Sequence, residues 1–194
     1  MLYTPGNEKK EITLQIKTLI IDEEAEDGIA GELEKLLYQI GADEEISLAA
    51  LKDITEPDNY DEIELCTEAT VETGERGDVI ITYKENEDDI QISTLSKIIF
   101  NPQNPDLVAM TKEGAVGAVL SFEEGKTHVC SYDTPFMPFK VYVTTNKVDN
   151  RLLSMGKLKL DYILNLNDTP PQHFIITVKL KDAPEDVLGE IFAK

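Results

Sequence analysis

The chain has 194 residues, with no tryptophan, two cysteines, two histidines and, among eighteen basic residues, only two arginines, Arg76 and Arg151. Each scarcity excludes something. Two thiols, Cys66 and Cys130, cannot build a disulfide framework. Eighteen bases against 38 acids leave a net charge of −20. Binding nucleic acid requires neutralising phosphates with Lys and Arg, so nucleic acid is excluded as a partner. An anionic membrane surface repels such a chain as well. No apolar run nears the roughly 20 residues of a membrane-spanning helix. The opening Met1, Leu2, Tyr3, Thr4, Pro5 has no basic-then-apolar signal pattern, which predicts a cytoplasmic protein with reduced thiols. Both cysteines are expected as small, buried or half-buried side chains.

The charge is uneven. Between Asp22 and Glu62 stand fifteen acids and two bases, Lys35 and Lys52, so this stretch carries −13 of the total. It also holds a helical pattern. Ile29, Leu33, Leu36, Leu37 and Ile40 form one stripe, with Asp27 placed to cap the start and Gly41 to end it. A second short helix is expected over 47–53. Another is expected over 184–192, opened by Pro184 behind Asp182.

Everything else reads as strand. Ile12, Leu14, Ile16 and Ile20 alternate with polar residues, the period of a half-buried strand. Further strands are expected over 61–71, 78–85, 90–99, 107–112, 115–122, 127–133, 139–148, 156–166 and 174–180. Short turns at Gly74 to Gly77, Gly114 and Gly125 join several of them. Without helical crossovers the strands run antiparallel, and so many must close or stack to hide their edges. The expected fold is mainly β: one domain over 1–194, an antiparallel meander barrel of about eight to ten strands. A helical insertion at about 22–60 follows the first strand, and a short helix ends the chain.

Certain segments resemble a known family. Glu64 to Glu68, Ile80 to Glu85, Ser121 to Thr134 and Gly156 to Asn165 are similar to the YwiB-like proteins. The most specific run is Phe122-Glu123-Glu124-Gly125-Lys126-Thr127-His128, followed by Tyr132-Asp133-Thr134-Pro135. The resemblance covers 11–21 and about 61–180. It departs at Met137 and Pro138, where the family has a glycine, and in the inserted segment. It implies a lipocalin-like (calycin-like) barrel and, because the family has no assigned catalytic residues, no mechanism.

Candidate chemistry is thin. His128 and Cys130 share a strand face and offer two zinc ligands, but the remaining His173 and Cys66 stand far off in sequence, so no metal is expected. No nucleophile elbow or phosphate-cradling glycine loop is present, and no cofactor is expected. Asp22 to Gly28 fails the calcium-loop pattern, with Asp27 where glycine is needed and Leu33 where glutamate is needed. Glu68 and Glu85 end adjacent strands and are a candidate carboxylate pair. Inward rows are expected to carry His128, Tyr132, Tyr83 and Tyr162 among aliphatic residues. A small-molecule pocket is expected at one barrel end near Glu68, Tyr83, His128, Cys130 and Tyr132, with Cys130 leaving volume beside His128. Two functions stay open: a non-catalytic barrel for a small, partly apolar ligand, and an interaction module whose acidic insertion docks a basic protein.

Overall fold

The computed structural model describes residues 9–21, 60–86, 93–114, 117–134, 138–166 and 169–181. The expected helices over 29–40, 47–53 and 184–192, and with them the insertion at 22–60, lie outside the described residues.

Ten strands follow one another: β1 (Lys10–Ile21), β2 (Tyr60–Thr73), β3 (Val79–Asn86), β4 (Ser93–Asn101), β5 (Asn104–Glu113), β6 (Gly117–Glu123), β7 (Thr127–Asp133), β8 (Pro138–Arg151), β9 (Lys157–Leu166) and β10 (Gln172–Lys181). Each pairs antiparallel with its neighbour in sequence, and β1 also pairs with β10, so the sheet closes into a barrel. Closure removes the unpaired edges that a strand-rich chain must otherwise protect.

The alternation seen in sequence becomes inside and outside. On β1, Ile12, Leu14 and Ile16 are buried, while Thr13, Gln15 and Lys17 are partly exposed. Leu14, Ile81, Ile98, Phe122, Leu158 and Leu160 are fully buried in one continuous core. Burying each such side chain contributes roughly 1.5–3 kcal/mol. An aromatic row crosses the interior. Phe122 meets Tyr162 edge-on at 4.8 Å, and Tyr162 stacks on Phe174 at 5.3 Å.

Two strand ends differ from expectation. Asn101 pairs with Asn104 across a two-residue turn, so the stretch between the strands expected over 90–99 and 107–112 is a tight hairpin and β5 begins earlier than its apolar run. The cause is local: Asn101 Oδ1 accepts the Gln103 amide at 2.9 Å and its Nδ2 donates to Asp78 at 3.0 Å. A one-turn helix, α1 (Leu152–Met155), joins β8 to β9 and was not expected. At its start, Asn150 Oδ1 accepts the Leu152 amide at 3.2 Å. Gly156 ends it at φ 63°, a left-handed conformation that suits glycine. The turn drives Leu152 into the core, where 1% of it stays exposed.

Candidate functional site

The registers bring one inward row into a belt across six strands. Tyr83 of β3 lies opposite Ser96, Ser96 opposite Lys112, Lys112 opposite Ala118, Ala118 opposite Tyr132, and Tyr132 opposite Phe139. Glu85 is one inward step further along β3, toward the strand end. These strand ends form one mouth of the barrel, the end from which the connections between β1 and β2, β3 and β4, β5 and β6, β7 and β8, and β9 and β10 depart.

One side of the mouth is polar. The Glu85 carboxylate accepts a hydrogen bond from Ser96 Oγ at 2.9 Å on one oxygen and from Lys112 Nζ at 2.7 Å on the other. Ser96 and Tyr83 are almost fully buried beneath it, whereas the Glu85 and Lys112 side chains are 25% and 41% exposed. The carboxylate is thus anchored at its base, and the lysine runs its stem along the wall to reach water. Burial and the neighbouring Glu85 charge hold the Tyr83 phenol far above the usual tyrosine range. The other side is apolar: Tyr132 and Phe139 face each other at 5.1 Å, and Leu65, Leu164 and Leu166 lie partly buried against the core.

The expected site residues separate. Tyr83 and Tyr132 stand in the belt, and Cys130 is buried below Tyr132 in the core, opposite Val141. His128 shares the inward parity of Cys130, and its Nε2 lies 3.6 Å from a Glu123 carboxylate oxygen. Glu68 faces outward, on the side of the sheet opposite Ala69, while Glu85 faces inward. The suggested carboxylate pair therefore does not form, because adjacent residues in a strand project to opposite faces. Cys66 is exposed, not half-buried, since it shares the outward parity of Glu64 and Glu68. A cleft of about 790 Å³ opens where β2 separates from β3, lined by Glu68, Tyr83, Cys66 and Thr70 among others, and does not include His128, Cys130 or Tyr132.

Sequence reasoning missed Lys112 and Ser96. The signal was present: Lys112 shares the inward parity of Val108 and Met110, and Ser96 that of Ile98 and Phe100. Among the described residues no cluster of three metal-binding side chains occurs. No helix there is long and apolar enough to cross a membrane.

The fold and mouth define a closed antiparallel barrel with an ion pair at one opening. Residues 46–178 match the family described as "Domain of unknown function (DUF1934)", and the chain belongs to that family. The match begins inside the segment read as inserted, so its second part is family sequence. No curated protein matches the chain. Among solved structures, the crystal structure of the ywiB protein from Bacillus subtilis has a similar fold. It is 16% identical, with a TM-score of 0.55, over 89% of this chain and 92% of the other.

Proposed function

We propose that the barrel is a non-catalytic binding protein for a small, partly apolar molecule, held in the mouth between Tyr132 and Phe139 on one side and Glu85 and Lys112 on the other. The observation that carries this reading is the position of the Glu85–Lys112 pair: inward-facing, partly exposed and in one belt with the partly buried Tyr132 and Phe139. Ligand sites combine an apolar wall with a few placed polar groups that fix orientation. Tyr83 sits at the floor of this site, with Cys130 and His128 further along the inward face of β7. Glu68 contributes to the outer cleft instead. The reading places the protein in the cytoplasm, where a reducing medium keeps an exposed thiol such as Cys66 free.

Native mass spectrometry of gently purified protein, with titration of the uncharged dye Nile red, tests it. We expect a bound small molecule or a saturable blue shift of the dye. Ala118→Trp, which fills the belt between Lys112 and Tyr132, abolishes the shift, and the smaller plug Ala118→Leu weakens it while the β-sheet circular dichroism stays unchanged. An empty barrel that leaves Nile red unshifted would overturn the proposal.

A further inference from the structure

In a chain with 38 acidic residues, a surface lysine is expected to find a carboxylate. On the outer wall of β9 and β10 four do not. Lys157, Lys159, Lys179 and Lys181 make no ion pair among the described residues. The register sets Lys179 directly opposite Lys157 on one side and Gln15 on the other. Like charges in that relationship destabilise a sheet. Lys17 of β1 adds another ammonium beside them, opposite Thr177. Between these side chains lies a hollow of about 230 Å³, lined by Gln15, Lys17, Lys157, Thr177 and Lys179. Carboxylates around it are already engaged. Glu62 holds Lys17 at 2.7 Å, Glu64 accepts from Gln15, and Asp149 holds Arg151 at 2.6 Å.

We propose that this hollow is a binding site for a small multivalent anion of the phosphate type. Lysines of three adjacent strands line it, Lys157 and Lys179 without an ion pair among the described residues and Lys17 paired with Glu62, and the Thr177 hydroxyl stands beside them as a further hydrogen-bonding group. Its size suits a compact phosphorylated molecule and not a folded partner. The overall charge selects in the same direction. An extended polyanion meets the repulsion of the whole −20 surface, whereas a compact anion lies within a Debye length, about 8 Å at physiological salt, of the local lysines. Binding also neutralises the Lys157–Lys179 repulsion, so the anion stabilises the fold as any ligand of the native state does.

Inorganic pyrophosphate is the probe, titrated against the full chain at a constant ionic strength of about 0.15 M and followed by calorimetry and by thermal unfolding. We expect saturable binding and a rising unfolding midpoint. The double variant Lys157→Gln/Lys179→Gln binds at least tenfold more weakly. Its unfolding midpoint without ligand equals or exceeds that of the parent, because the like-charge contact is gone, which shows that the barrel remains intact. Adenosine triphosphate binding as tightly as pyrophosphate marks the phosphates as the recognised group. Absence of saturable binding up to about 10 mM, a range that already corresponds to negligible affinity, would overturn the proposal. So would undiminished binding by the double variant. Tighter binding of hexaglutamate than of pyrophosphate would assign the wall to an acidic protein partner and overturn it equally.

Discussion

Lys112 Nζ lies 2.7 Å from Glu85 Oε2, and both side chains project from the inner face of the barrel. A lysine on an inward row costs solvation unless its head reaches water or a partner, and Lys112 has both. The pair is unequal. Lys112 retains access to solvent when Glu85 is removed, whereas Ser96 is buried and donates its hydroxyl to Glu85.

This inequality predicts different costs for the two halves. Glu85→Ala removes the charged acceptor of the buried Ser96 hydroxyl and is expected to destabilise the barrel by about 1–3 kcal/mol, the range for a buried hydrogen bond to a charged group. Lys112→Ala removes only the screened, partly exposed partner and is expected to cost about 1 kcal/mol or less. Urea unfolding of both variants checks the order. A Lys112→Ala loss larger than that of Glu85→Ala would show that the lysine, not the carboxylate, organises the mouth.

The buried tyrosines predict a sign in alkaline solution. Tyr83 and Tyr162 are raised above the ordinary tyrosine value near 10. Burial is the main cause for both, and the Glu85 charge adds to it for Tyr83. In the unfolded chain both phenols ionise near pH 10, while in the barrel they stay protonated. The unfolded state therefore binds fewer protons above that pH. The stability these groups contribute is complete below pH 10 and declines as pH rises toward their folded values. Absorbance at 295 nm during an alkaline titration is expected to show two phenols ionising only with loss of the sheet signal. Tyr83→Phe/Tyr162→Phe is expected to lose that late phase.

Gly156 carries a third prediction. Its φ of 63° ends α1, and a Cβ there meets the Leu180 side chain at 3.4 Å, an ordinary contact. The cost of Gly156→Ala is then that of the left-handed backbone, about 1–2 kcal/mol. Gly156→Asn, which tolerates this conformation better, is expected to cost less. Thermal unfolding of the two variants distinguishes them. Equal loss in both would mean that packing against Leu180, and not φ, decides the position.

Much of the fold was legible because strand alternation has a period of two and the barrel has an inside and an outside. Val79, Ile81 and Tyr83 on β3, and Leu158, Leu160 and Tyr162 on β9, share a buried face in the structure as their spacing requires. Turn chemistry was less legible. Pro102 and Gln103 read as part of a loop, yet the side chain of Asn101 folds them into a hairpin. The four residues of α1 are too few for any helical period to show. The candidate site was half visible. Parity placed Tyr83 and Tyr132 inside, but it placed Glu68 outside as well, and proximity along the chain misled where parity should have ruled.

The sequence by itself determined which side chains enter the barrel, because each strand allows only two directions and the apolar set must choose the dry one. It also determined the −20 net charge. Tertiary structure alone decided the register, and register is a property of neighbouring strands. It set Tyr83, Ser96, Lys112, Ala118, Tyr132 and Phe139 in one belt. It also brought Lys157 opposite Lys179 from strands whose pairing no local pattern encodes. A shift of one strand by a single pair of residues preserves every inside and outside assignment yet dissolves both arrangements.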